Sequence, residues 1–177
     1  MKLHIGCGPN IVPGWTNVDM KHGDLKVDVR KGLPFPDESI DLIFHEHFLE
    51  HLDYPGEATE LVRESRRVLV PNGHMRIGVP DTEYTLRAYV QGNEDYFKLC
   101  RERWHPAWCT TPMESVNFHF RQAGQHKFAY DFETLAKLLS LTGFRNIGKS
   151  SYRSSPVSEL NIDTRDDAGT LWVECQK

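Results

Sequence analysis

Long apolar runs are missing from this 177-residue sequence. No stretch approaches the roughly 20 residues that a bilayer-spanning helix needs, and the opening MKLHIGCG carries no apolar targeting segment. A soluble, cytoplasmic protein without membrane insertion is therefore expected. Cysteine is scarce: Cys7, Cys100, Cys109 and Cys175 are too few and too scattered for a disulfide scaffold, so free thiols are expected. Cys100 and Cys109 flank His105, but without tight CxxC spacing or a convincing fourth ligand they make no zinc motif. Positive charge is not in excess either. Lys and Arg number 21 against 25 Asp and Glu, a net charge of −4, which gives no global attraction to nucleic acid and turns the expectation toward small-molecule partners. Internal repeats and low-complexity tracts are absent as well.

What is present is enough chain for one core. A protein of this length buries about 70% of the surface its unfolded form exposes, so a single domain over residues 1–177 is expected. Leu3 and Ile5 mark a first strand that runs into the turn Gly6-Cys7-Gly8-Pro9-Asn10. Asn17 to Asp19, Leu25 to Val29 and Ile40 to Phe44 read as further short strands. From Gly56 to Leu69 apolar residues recur on one face of a 3.6-residue period, which predicts a helix over a sheet, stopped by Pro71-Asn72-Gly73. His74 to Val79 follows as a strand. Asp81 or Thr82 caps a short helix to Val90, and Asp131 caps a clear one that Gly143 ends. Phe144 to Ser151 and Thr170 to Cys175 supply two last strands, separated by a polar linker expected as an exposed loop. Gly92 to Lys127 lacks periodicity and is rich in aromatics, histidine and arginine. It reads as a mostly irregular insertion with one helical piece, either a substrate cap or a contact for a partner such as a second copy of the chain.

Alternating strands and helices predict an α/β sheet with helices on both faces. Such sheets bind ligands at the C-terminal ends of their strands. Gly6 and Gly8 fall there, and without Cβ atoms they admit close backbone approach or positive φ. The pair departs from GxGxxG, since Ile11 stands where the third glycine would be. Two acids add to it. Asp19 at the end of the second strand suits the vicinal hydroxyls of a ribose, and Asp28 after the third suits an adenine amino group. Together the four residues favour an adenosyl ligand over the turn-forming and capping roles each could fill alone.

The series HIGCGPN, NVD, VDVRKGLPFPDESIDLIFHEHFLEHL, ELVRESRRVLVPNGHMRIGVPD and HKFAYDFETLAKLLSLTGF resembles the small class I S-adenosylmethionine-dependent methyltransferases of the type 11 group, including bacterial members found among sugar and envelope-biosynthesis enzymes. The likeness runs from Lys2 to Gly148 and extends to the final strand. It implies a Rossmann-like seven-stranded sheet, mostly parallel with the last strand antiparallel. It also implies S-adenosylmethionine as cofactor, S-adenosylhomocysteine as product, and binding across Gly6, Cys7, Gly8, Asp19, Met20, Asp28, Val29 and the backbone at His45 and Glu46. One departure is visible: about ten residues separate the first strand from Asn17, short for a parallel crossover. The first helix must be shortened or replaced, which leaves Trp15 or the insertion to cover the cofactor's methionyl end.

Methyl transfer demands alignment in a dry site, and a base where the acceptor oxygen or nitrogen arrives protonated; it requires no metal. Histidine suits the base, and His45, His51, His119 and His126 are the candidates. His47 and His51 are spaced to share a helical face, for which helix packing is the better account than half of a metal motif. Arg101, Arg103 and Arg121 would suit an acidic or phosphorylated acceptor. The leading expectation is a methyltransferase acting on an oxygen or nitrogen of a small-molecule or sugar-containing acceptor. A noncatalytic adenosyl-ligand binder and a protein or nucleic-acid methyltransferase are the rivals.

Overall fold

The computed structural model describes residues 1–166 and 168–177. Seven strands form one sheet in the order β3-β2-β1-β4-β5-β7-β6. They are β1 (Lys2–Ile5), β2 (Thr16–Asp19), β3 (Leu25–Lys26), β4 (Ile40–Glu46), β5 (Leu69–Pro80), β6 (Arg145–Ser150) and β7 (Thr170–Gln176). β1 to β5 pair in parallel, and β7 inserts antiparallel between β5 and β6. Among the described residues five α-helices accompany them: α1 (Gly56–Val68), α2 (Thr82–Val90), α3 (Glu94–Arg103), α4 (Pro112–Arg121) and α5 (Phe132–Leu141). The strand order reverses at β1 and β4, where an α/β sheet opens its ligand crevice.

Alternation along the strands divides the side chains between two faces. Leu3, Ile5, Ile43, Met75, Ile77 and Val173 point to one face and meet Ala58, Leu61 and Val62 of α1 and Leu135, Leu138 and Leu139 of α5. The helices expected on both faces cover only this one. On the other, Leu42, Phe44 and Trp172 pack against Trp15, in irregular chain, and Leu160, at the end of a single 3-10 turn over Ser158–Leu160. No helix lies between β1 and β2, in keeping with the shortened crossover, and a single side chain does the bracing. Asn17 donates from Nδ2 to the carbonyls of Val12 (3.1 Å) and Trp15 (3.0 Å) and accepts from Val12 N at 2.9 Å. Trp15 is thereby 7% exposed beneath the sheet, so it does not cover the cofactor's end as expected.

The segment between β6 and β7, expected as an exposed loop, instead closes this second face. Asp163, wholly buried, accepts from Arg76 Nε of β5 at 2.8 Å, and the Arg76 guanidinium lies 4.6 Å from the Trp172 ring centre. Asp167 of the same segment lies outside the described residues.

Three further differences have local causes. β3 stops at Lys26 because Asp28 turns the chain, its side chain accepting from Arg30 N to cap a single 3-10 turn over Val29–Lys31. Leu69 already pairs with Ile40, so Pro71-Asn72-Gly73 sits at an irregularity inside β5 rather than before it. The 92–127 segment holds two helices. Asn93 caps α3, while Thr111 and Glu114 form a reciprocal capping box on α4 with Pro112 in its first turn. With α2 they gather Ala88, Tyr96, Phe97, Cys100 and Val116 into a small core of their own. All four cysteines are buried free thiols.

Candidate functional site

The parallel register of β1, β2 and β3 brings the Gly6 to Gly8 turn, Asp19 and the approach to Asp28 to one edge. Gly6 (φ +65°) and Gly8 (φ +50°) both adopt left-handed backbone. A Cβ on Gly6 would overlap the Phe48 ring, so glycine is required for space as well as for backbone. Asp19 Oδ1 accepts from Lys21 N (2.8 Å) and His22 N (3.1 Å), and Oδ2 accepts weakly from Gly8 N (3.4 Å). Burial works to raise its pKa, but these backbone donors hold it below the ordinary aspartate value. An ionised Oδ2 with spare lone pairs thus faces the edge. Met20 beside it is 59% exposed. Asp28 is held by Arg30, whose Nε and Nη2 donate at 2.8 and 2.9 Å, so an incoming amino group would share its oxygens with that guanidinium. Val29 is buried in the core, and Cys7, also buried, has its thiol pKa pushed up to about 11 by burial and by Asp19.

From β4 the chain crosses to a second region. Phe48 reaches back over Gly6, whereas His47, Glu50 and His51 line a cavity of about 730 Å³ whose other walls come from α3, α4 and the 164–170 segment. That volume is ordinary for a small-molecule site. Tyr96, Trp104 and Phe118 supply aromatic wall, and Arg103, one of the expected arginines, lines it while paired with Asp166 at 3.0 Å. Arg101 and Arg121 do not line it. Glu46 braces the rim, accepting from the Thr164 and Arg165 amides at 3.0 and 2.8 Å.

The four candidate histidines separate by position. His45 is 1% exposed with Nδ1 unpartnered, away from the cavity lining, and burial drives its pKa down to about 3. His119 lines the cavity, but Thr82 (3.3 Å) and Thr85 (3.2 Å) occupy its ring nitrogens, which makes it a tie between α2 and α4. His51 and His126 are brought together, ring centres 5.1 Å apart. Beside them Glu50 is 1% exposed, and neither carboxylate oxygen has a hydrogen-bond partner among the described residues. Burial pushes its carboxyl up to about 8. His47, at φ +50° beyond β4 and not on a helix with His51, bonds Thr170 Oγ1 through Nε2 (2.9 Å) and points Nδ1 at Glu50 Oε1 from 3.6 Å. Packing on a shared helical face is therefore not its role.

A family model described as a methyltransferase domain matches residues 16–77, from β2 through most of β5. The chain has the fold of the class I S-adenosylmethionine-dependent methyltransferases, and a methyltransferase-domain sequence pattern over about a third of its length. Solved methyltransferases share the fold at low identity. An S-adenosylmethionine-dependent methyltransferase from Archaeoglobus fulgidus superposes with a TM-score of 0.63 at 19% identity, over 99% of this chain and 85% of that one. A possible histamine N-methyltransferase from Thermotoga maritima gives 0.60 at 18%, over 99% and 81%. Phosphoethanolamine N-methyltransferase 2 from Haemonchus contortus, solved with S-adenosylmethionine, gives 0.57 at 14%, over 99% of this chain and 48% of that one. No curated protein matches the sequence.

Gly6, Gly8, Asp19 and Asp28 fall along one edge, while sequence reasoning missed Glu50 and the cavity-lining places of His47, His105 and Arg165. The signal for Glu50 was its place between His47 and His51, which only the turn over Leu49–His51 converts into proximity.

Proposed function

We propose that the protein is a methyltransferase that acts on an oxygen or nitrogen of a small-molecule or glycan-related acceptor held in the cavity beneath α3 and α4, with 92–127 serving as its cap. The observation that carries the reading is the chain from His45 to His51, which touches the glycine turn through Phe48 and the cavity through His47, Glu50 and His51. S-adenosylmethionine, when bound, supplies a methyl group on a sulfonium. Gly6, Cys7 and Gly8 would admit it by close backbone approach, Asp19 Oδ2 would accept from its ribose, and Met20, Asp28, Val29 and the His45 and Glu46 backbone would surround its adenosyl and methionyl parts. His51 Nδ1 lies 3.0 Å from the Gln125 carbonyl and His126 Nδ1 lies 2.7 Å from the His119 carbonyl, so Nε2 of each keeps a lone pair that can take the acceptor's proton. In this reading His45 serves as buried packing and His119 as the tie between α2 and α4. The two N-methyltransferases of similar fold are named for small amines, which agrees with a cavity of this size.

Two measurements test it. Asp19→Ala should weaken S-adenosylmethionine binding about tenfold to a hundredfold in calorimetry, the worth of hydrogen bonds to a charged group; equal affinity would remove the assignment. Incubation with isotope-labelled cofactor and a panel of amines, hydroxy acids and nucleotide sugars should add one methyl mass to a defined acceptor. Cofactor binding with no transfer to any of them, nor to protein or RNA, would favour a noncatalytic binder.

A further inference from the structure

We propose that Glu50, His51 and His126 form a binding site for a divalent cation of the zinc class, open on one side to the cavity. One ligand atom from each of the three lies within 4.8 Å of the others, with His51 Nε2 4.0 Å from Glu50 Oε1. Ligands at 2.0–2.1 Å from a common ion stand about 3.3 Å apart in a tetrahedron, so small side-chain rotations close the set.

The rings are already set for ligation. His51 Nδ1 lies 3.0 Å from the Gln125 carbonyl, and His126 Nδ1 lies 2.7 Å from the His119 carbonyl. A carbonyl only accepts, so each Nδ1 carries the hydrogen and each Nε2 keeps its lone pair. Fixing the tautomer through the far nitrogen is how proteins orient metal-binding imidazoles. Glu50 supplies an independent observation. Its side chain is buried, lines the cavity, and has neither oxygen hydrogen-bonded among the described residues. Buried carboxylates without partners are costly unless paired or metal-bound.

The backbone holds the two contributing segments in register. The Glu50 carbonyl accepts from Lys127 N at 2.7 Å and Phe128 N at 3.3 Å, so the turn bearing Glu50 and His51 and the strand of chain bearing His126 are tied together. Two imidazoles and one carboxylate suit zinc and its transition-metal neighbours better than magnesium or calcium, which take oxygen. Three protein ligands with a free side are the arrangement of a catalytic rather than a structural zinc site. His47 Nδ1, 3.6 Å from Glu50 Oε1, is a further nitrogen beside the set. Cation binding and direct proton acceptance draw on the same Nε2 lone pairs. A resident cation would therefore replace His51 and His126 as bases, while leaving the methyl-transfer reading itself intact.

The test uses the full chain, stripped with a chelator and titrated with Zn²⁺ by calorimetry and with Co²⁺ by visible absorption. One ion per chain is expected, with d–d bands of low-coordinate cobalt and no thiolate charge-transfer band. Glu50→Gln and His126→Ala should each weaken Zn²⁺ binding by on the order of a hundredfold, beyond the effect of losing an outer partner, and the exposed His22→Ala should leave it unchanged. Failure of the wild type to bind, equal affinity in the Glu50 and His126 variants, or a thiolate band would each overturn the proposal. Circular dichroism checks that the variants fold, and the wild-type titration decides alone if they do not. None of these readouts involves methyl transfer, so cation binding and acceptor chemistry fail separately.

Discussion

His45 occupies the end of a central strand, where the candidate cofactor edge and the core meet. Its ring is buried against Phe48 with centres 6.4 Å apart, and burial followed by the nearby His4 holds its pKa at about 3 against an ordinary 6.5. The sign of the linkage follows. Below pH 6.5 the unfolded chain takes up a proton at this position that the folded chain refuses until about pH 3, so the stability from a neutral ring is full above 6.5 and is lost as pH falls through that window. Against a His45→Leu variant, the wild type should lose about 1.4 kcal/mol per pH unit over that range in chemical denaturation. A difference independent of pH would mean the ring is not desolvated. Single residues also show what sequence could convey. Gly6, Gly8 and Asp19 were legible as residues of the strand-end edge, where the glycines take left-handed backbone and Asp19 collects turn amides. His51 and His126 were legible as histidines but not as neighbours, because 75 residues of fold separate them before Gln125 and His119 offer their carbonyls.

Elements with strong apolar periodicity and marked ends came through intact. α1 presents Ala58, Leu61, Val62, Ser65 and Val68 to the core, and α5 runs from its Asp131 cap to Gly143 at φ +90°. α3 and α4 did not, because their buried faces use Tyr96, Phe97, Cys100 and Val116 against each other and α2 rather than an aliphatic stripe against the sheet. Their caps were nonetheless written in the sequence. Thr111 accepts from Glu114 N at 3.2 Å, and the Glu114 carboxylate accepts from Thr111 N at 2.9 Å. Removing this box should matter to a helix with so small a core. Thr111→Ala is expected to cost about 1 kcal/mol and to raise hydrogen exchange across 112–121 about fivefold. Unchanged protection there would show that packing, not the cap, sets the local stability of α4.

For the whole molecule, the sheet is clad in helix on one face and in irregular chain on the other. The second cladding depends on polar fasteners where helices would have supplied an apolar stripe. Arg76 is the chief of them, bonding Asp163, Glu174, Ser150 and the Ser151 carbonyl from within the sheet. Removal of Asp163 leaves that buried guanidinium with Glu174, Ser150 and the Ser151 carbonyl but strips Nε of its acceptor. Asp163→Ala should lower unfolding free energy by about 3–5 kcal/mol and the melting temperature by on the order of 10 °C, and a loss below 1 kcal/mol would show the guanidinium re-pairing elsewhere. The sequence concealed this face because polar loops composed of Ser, Asp and Asn read as solvated, whatever they cover.

Chain reach sets one more limit. Phe48, over the glycine turn, and Glu50, at the cavity, are two residues apart, and two residues span at most about 7 Å. In the proposed reading, the backbone distance between the segment over the cofactor turn and the segment at the acceptor cavity is thus a covalent length, set before either ligand arrives. It needs no hinge to establish it, and insertion of even one residue between Phe48 and Glu50 would change it directly.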